Sequence, residues 1–442
     1  METIKLKKIA KVITGFPFKG ELYSSEGIKT VRGENITEGK LRWDTIKCWN
    51  HKFDKEEEYL LKSDDIVIGM DGSKVGKNKA RINKDDLPLL LAQRVACLRS
   101  LGKNDQVFLY YLINNPRFEE YVFKTQTGSS VPHISKNQIE DFEVPKIELI
   151  TQQKIAKVLS DLDAKIDFNN KINAELEAMA KTFYDYWFVQ FDFPDKDGKP
   201  YKSSGGKMVW DNALKREIPE GWEVKKLENI IDRIIDYRGR TPKKLNYEWS
   251  DNINDIIAIS AKHIKKGKLV NLNEANRVNC ELYSKWMKEE LSEGDILMTS
   301  EAPCGEFFYL IGDPKYCLSQ RVFAIRSNNK IVNHSYLYFE LSCGNGYSQI
   351  MGKVSGSTVF GIRQDELRTV NVLIPDKNLQ NRFEEKSFPI YKKIRINEKQ
   401  NQELAALRDW LLPMLMNGQI TVGEVEGKLG MVAERGVEYK KS

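Results

Sequence analysis

The chain has no adjacent pair of prolines, no two cysteines in C-x-x-C spacing and only four histidines (His51, His133, His263, His334). Each absence excludes a class of chemistry. Zinc knuckles and secreted disulfide frameworks need paired cysteines, whereas Cys48, Cys97, Cys280, Cys304, Cys317 and Cys343 are scattered and suit a reduced cytoplasm. No two histidines have metal-ligand spacing. Adenine-N6 methylation requires a Pro-Pro-aromatic loop for a flipped base and a Gly-rich turn for the methyl donor. Gly344-Asn-Gly346 lacks the further glycine and the strand–helix setting of such a turn. Gly72-Ser-Lys-Val-Gly76-Lys77-Asn78 is one residue short of a phosphate-binding loop and ends in Asn where Ser or Thr belongs. Asp195, Asp197 and Lys199 crowd into one turn-rich stretch instead of lying on separate strands as a nuclease metal site requires. No catalytic residue, metal site or cofactor is expected. No run of about 18 apolar residues is present, and no apolar h-region follows the N-terminal charges, so neither a membrane span nor a signal peptide is expected.

The chain does have length and a little positive charge. Its 442 residues exceed one compact core. The net charge of +6 is modest, but Lys and Arg cluster in Lys5–Lys11, Lys74–Arg81, Arg238–Lys244 and Lys262–Lys268. Surfaces that bind nucleic acid concentrate charge in this way, and so do solvated faces.

The chain also repeats itself at a period near 228. Leu91-Ala-Gln-Arg-Val-Ala-Cys-Leu-Arg-Ser100 returns as Leu318-Ser-Gln-Arg-Val-Phe-Ala-Ile-Arg-Ser327. Thr127-Gly-Ser-Ser-Val131 returns as Ser355-Gly-Ser-Thr-Val359, Asp65-Ile-Val-Ile as Asp295-Ile-Leu-Met, and Asn35-Ile36 as His263-Ile264. Chance matches would not hold one offset. Each copy opens with a mixed α and β stretch, 1–150 and 219–376. Asp65–Met70, Val95–Leu98, Ile296–Met298 and Val322–Ile325 read as buried strands, and Phe108–Leu112 and Tyr336–Leu341 as helical.

Each copy closes with a helix, over 151–190 and 377–418. Ile155, Leu159, Leu162, Ile166, Asn169, Asn173, Leu176, Ala180, Phe183 and Trp187 alternate spacings of four and three, the seam of a coiled coil. Adding 228 gives Phe383, Ser387, Ile390, Ile394, Asn397, Asn401, Leu404, Arg408, Leu411 and Leu415. Asparagine recurs at both places, so Asn169, Asn173, Asn397 and Asn401 are expected to fix register. Pro389 is expected in the first turn of a restarted helix, and Pro413 is expected to kink or end it. The Pro/Gly/Ser/Lys stretch within 191–218 reads as a linker, and 419–442 as a flexible tail.

The expected fold is α+β: two mixed α/β globular domains separated by two long helices that form an antiparallel coiled coil, with internal pseudo-two-fold symmetry. About 36 helical residues span roughly 54 Å, against roughly 34–36 Å for one turn of DNA. Such an arrangement suits a split DNA target, with the helices as a ruler and two diverged domains reading unlike half-sites.

The order of domain and helix, twice over, resembles the specificity subunits of type I restriction–modification systems. The resemblance rests on Gly15-Phe-Pro-Phe-Lys19, Gly128-Ser-Ser-Val-Pro-His-Ile134 and Thr151-Gln-Gln-Lys-Ile-Ala156 in the first copy. Asp197-Gly-Lys-Pro-Tyr-Lys-Ser-Ser-Gly-Gly206, Ile218-Pro-Glu-Gly-Trp-Glu-Val224 and Gly239-Arg-Thr-Pro242 carry it into the second, over about 4–420. It departs where Gln380-Asn-Arg-Phe383 stands in place of the Gln-Gln-Lys-Ile helix opening. The resemblance implies double-stranded DNA as ligand, two methyltransferase subunits and restriction–translocation subunits as partners, and no membrane. The competing reading is a non-catalytic protein-interaction scaffold.

Base edges are read by Arg, Lys, Asn, Gln, Ser and Thr, and phosphates attract Lys and Arg. The candidates are Arg32, Asn35, Lys74, Lys77, Lys79 and Ser129 in the first domain, and Arg238, Arg240, Lys262, His263, Lys265 and Ser357 in the second. The repeated Gln93-Arg94 and Gln320-Arg321 are read as framework, because they are kept in domains expected to have different targets.

Overall fold

The computed structural model describes residues 2–53, 56–128, 131–312, 314–356 and 360–423. These fall into two compact units, one drawn from Met1–Phe168 and Gln400–Ser442, the other from Asn169–Lys399. The expected tail beyond residue 423 lies outside the described residues.

In the first unit, Ala10–Thr14, Val95–Ser100, Ile66–Gly69 and Lys79–Arg81 are successive neighbours in one sheet, which Glu38–Gly39 extends. A smaller sheet sets Ile28–Val31 antiparallel to Cys48–Trp49 and parallel to Leu89–Leu91. The second unit repeats the plan. Ile231–Asp236, Val322–Ser327, Ile296–Thr299 and Phe307–Tyr309 form its main sheet. Ile256–Ile259 lies antiparallel to Arg277–Val278 and parallel to Tyr316–Leu318. The strands are β-branched and aliphatic, and Ile66, Val67, Ile68, Val95, Leu98, Ile296, Leu297 and Ile325 are fully buried. A strand covered on both faces has no reason to alternate, hence the continuous apolar runs.

Both cores are braced by the same ion pair. Arg99 forks onto Asp65 at 2.8 and 2.7 Å and donates to the Leu60 carbonyl. Arg326 does the same with Asp295 and the Glu290 carbonyl. Both carboxylates are buried, a setting in which bidentate pairing offsets the cost of desolvation.

The two long helices are Leu149–Tyr184 and Lys377–Met416. Gln152 ties the first to its domain by accepting from the Asp105 amide and donating to the Ile147 carbonyl, each at 2.8 Å. Gln380, 228 residues on, accepts from the Asn333 amide and donates to the Pro375 carbonyl, each at 2.9 Å. One glutamine therefore performs the opening that the four-residue motif marks in the first copy.

Proline does not break the second helix. It runs unbroken past Pro389, and past Pro413 to Met416. Both prolines are exposed, as are Glu385 and Asp409, whose carbonyls lose an amide partner. A helix face open to solvent tolerates the loss, because water can satisfy a freed carbonyl there. The buried side, through Phe383, Ser387, Ile390, Leu411 and Leu415, holds the helix in place. Beyond Met416 the helix is closed by Gly418, whose φ of +69° is the left-handed conformation that glycine adopts most easily.

The seam is buried or half-buried at every position the spacing marks. Within the first unit Arg408 donates to Asp163 at 2.6 Å, and Leu411 and Leu415 join the cluster of Ile155, Leu159 and Leu162. Within the second, Asn397 donates to the side-chain carbonyl of Asn173 at 2.8 Å, with both residues buried. Asn169 is buried and Asn401 half-buried. In each unit the pairing is antiparallel, since later residues of one helix meet earlier residues of the other. Replacing Asn173 with Leu strands the Asn397 amide in an apolar seam and should cost about 1–3 kcal/mol. Replacing both with Leu should recover most of that loss. Urea unfolding of the single and double variants checks this; losses that simply add would show that the two amides act independently.

Part of the expected linker is ordered. Phe193 stacks on Tyr201 at 4.6 Å and on Trp222 at 5.3 Å. Met208–Asp211 and Arg216–Pro219 form an antiparallel hairpin.

Candidate nucleic-acid interface

One end of each main sheet gathers the loops that carry most of the candidate residues. Ala10–Thr14 and Ile66–Gly69 both run antiparallel to Val95–Ser100, so their C-terminal ends arrive beside Val95. The turn Ala92–Arg94 lies at the centre of this end. Ala92 donates to Val31, Gln93 to Phe16, and the Arg94 carbonyl accepts from Met70. Three chain crossings therefore meet at one turn: the Phe-Pro-Phe loop, the turn that opens at Arg32, and the loop 70–78. A fourth, the segment after the antiparallel bridge between Thr127 and His133, joins through Ile134, which donates to the Met70 carbonyl. The second unit reproduces the pattern. Ser319 donates to Ile259, Ser300 to Arg321, Ile362 to Ser300, and Ser355 pairs with Gly361.

Around this hub the candidates separate into exposed and buried groups. Lys74 and Lys77 are exposed on loop 70–78. Lys74 pairs with Glu38 at 2.9 Å, and this bond holds the Glu38 carboxyl below its usual range. Exposed pairs contribute little, so Lys74 remains available to another anion. Arg32 opens the turn Gly33–Asn35, pairs with Glu34 at 2.8 Å and lies over the Tyr23 ring. Arg238 forks onto Asp236 and stacks on Phe323 at 4.1 Å. Arg240 lies over Tyr237 and donates to the carbonyls of Lys285 and Trp286. Lys262 and Lys265 are exposed.

Three candidates point inward, and burial withdraws them from direct contact with a ligand. The Asn35 amide donates to the carbonyls of Arg42 and Thr45 and accepts from the Arg32 amide, which closes the turn. His263 is its counterpart, accepting from the Ser260 amide at 3.0 Å, and burial pushes its imidazole below the usual range. Lys79 is buried between the Gly76 carbonyl and Glu119, at 2.9 and 2.6 Å, and burial lowers its pKa as well. All three hold loops in shape. Ser129 and Ser357 lie outside the described residues.

The residues that sequence reasoning set aside as framework are exposed as well. Gln93, Arg94, Gln320 and Arg321 are all exposed at the hub turns. The signal was present in the repeat, which contains two arginines of opposite kind: Arg99 and Arg326 are committed to buried carboxylates, whereas Arg94 and Arg321 are not. Among the described residues no three His, Cys, Asp or Glu side chains are placed to share a metal ion, and no helix is long and apolar enough to cross a membrane.

Comparison with known proteins finds one domain type twice along the chain. The type I restriction modification DNA specificity domain matches residues 1–178 and again residues 219–406. The type I restriction enzyme MjaIX specificity subunit of Methanocaldococcus jannaschii is 28% identical over 72% of this chain and 70% of its own length. The putative MjaX specificity subunit of the same organism is 25% identical over 95% of this chain and 94% of its own. In structure, the S subunit of a type I restriction–modification system from M. genitalium superposes with a TM-score of 0.58. That match covers 94% of this chain and 96% of the other, at 15% identity, and so speaks for the fold. With the specificity domain matched twice, where the structure builds its two mixed domains, this chain belongs to the type I restriction–modification specificity family, as a specificity subunit with two target recognition domains.

Proposed function

We propose that the two domains, over 1–150 and 219–376, each read one half of a bipartite, asymmetric double-stranded DNA target through the loops at the hub end of the main sheet. The helices over 151–190 and 377–418 set the spacer and dock two methyltransferase subunits, and restriction–translocation subunits join that assembly. The bridge over 191–218 carries the chain from one copy to the next, with 419–442 as a tail. One observation carries this reading: the same hub of loops is built twice on the same braced sheet, with unlike side chains on the loops. A constant frame with variable tips is what two readers of different sequences require.

Arg32, Lys74, Lys77, Arg238, Arg240, Lys262 and Lys265 are the residues proposed to reach DNA, while Asn35, Lys79 and His263 shape the loops that carry them. The chain supplies recognition in the cytoplasm and its partners supply the chemistry. With a labelled methyl donor, the purified chain should transfer no methyl group to DNA, and adding the methyltransferase partner should produce sequence-specific transfer. Methylation by the chain alone would overturn the division of labour. An assembled complex that held every duplex equally in filter binding would favour a protein-interaction scaffold instead.

A further inference from the structure

We propose that Arg94 and Arg321 form a sequence-independent clamp on the DNA phosphate backbone, one in each domain; the proposal rests on the DNA-reading function above. The first observation is conformational. Arg94 has φ +65° and Arg321 φ +66°, in the left-handed region where a β-carbon is strained and glycine is the low-cost residue. A turn that only had to reverse the chain would be more stable with glycine. Arginine stands there in both copies.

The second observation is exposure. The Arg94 side chain is 74% exposed and that of Arg321 is 48% exposed, so neither fills the core. Each touches one carboxylate at equivalent positions, Asp71 and Glu301, both at 3.2 Å. His133 holds Asp71 from the other side at 2.5 Å. These open pairs orient the guanidinium without committing it. The framework role in the same ten-residue repeat already belongs to Arg99 and Arg326, which are engaged with Asp65 and Asp295.

The third is position. Each arginine occupies the turn on which the surrounding loops converge, so a ligand bound across those loops passes over it. A side chain repeated in two domains with different targets cannot be reading bases. What both half-sites share is the phosphate backbone, and arginine is the side chain that forks onto phosphate. Strain at an exposed, repeated residue in a binding loop is retained for contact with a ligand.

The test uses the complex assembled with the methyltransferase partner, carrying Arg94→Gly, Arg321→Gly or both. Glycine accepts the backbone angle, so the melting temperature should hold or rise. Affinity is measured from 0.05 to 0.3 M salt on two duplexes, one with the methylated motif and one unrelated. Losing one phosphate contact should flatten the salt slope by about 0.9 and weaken binding roughly fivefold at 0.15 M salt. The double variant should lose roughly thirtyfold, equally on both duplexes, with the methylated motif unchanged. An unchanged slope, with or without a lower melting temperature, would make these residues framework and end the proposal. A loss confined to the cognate duplex with a relaxed motif would make them base readers and end it too. A wild-type complex that did not discriminate between the duplexes would instead remove the DNA-reading function itself.

Discussion

Exchanging residues 1–150 for the matching domain of a relative with another target should change one half of the methylated motif and leave the other half as it was. The expectation follows from how the first domain is closed. Its sheets, its Arg99–Asp65 brace and its Gln152 tie to the helix are all internal to residues 1–168. The second domain has its own copies in Arg326–Asp295 and Gln380. Specific binding exceeds non-specific binding by 10³-fold or more in such systems, so loss of one half-site should reduce affinity for the original target by roughly that order. Methylome sequencing of cells carrying the chimaera reads the result directly. A motif changed in both halves would show that the two domains do not read independently.

The second large effect concerns the spacer. One heptad inserted near Asn169 should lengthen the spacer by one to three base pairs without altering either half-site. Seven residues add roughly 10.5 Å along a helix, about three base pairs of rise. The lower bound arises because each added pair also turns the half-site by roughly 34–36° about the duplex, and because an unlengthened partner helix absorbs part of the change. Seven residues also keep the phase of the seam, whereas three or four shift it and cost stability. A matched heptad beside Asn401 should bring the change closer to three pairs. It would leave the Arg408–Asp163 contact of one unit and the Asn173–Asn397 contact of the other intact. An active variant that keeps the original spacer would mean the helices do not measure distance.

Much of this architecture was legible in the residues because it is written twice. The strands at Val95 and Val322 and the helices at Gln106–Ile113 and His334–Ser342 fall where the repeated runs place them. The seam was legible because burial follows its three-and-four spacing. Pro389 misled because a local rule does not say which side of a helix faces water. Asn35 and His263 misled in a related way: polar side chains of loop type, at equivalent places, turn out to close short turns from within. Their equivalence was itself the warning. Arg94 was read as framework because repetition alone marks either a frame or a constant ligand; its exposure and backbone angle, which the sequence does not show, are what the proposed phosphate clamp adds.

The way the helices close each unit also determines the order in which the chain can be completed. The second unit is contiguous, Asn169–Lys399, whereas the first needs Gln400 onward to cover Ile155, Leu159 and Leu162 with Leu411, Leu412 and Leu415. On the ribosome, residues 1–168 emerge first but must wait on the order of 10–50 s for their last segment. During that interval an apolar stripe stands open beside a finished sheet, and the second unit receives all its parts before the first does. The N-terminal domain is thus the first to be made and the last to be finished, and a nascent chain stalled before Gln400 presents that stripe to chaperones and proteases.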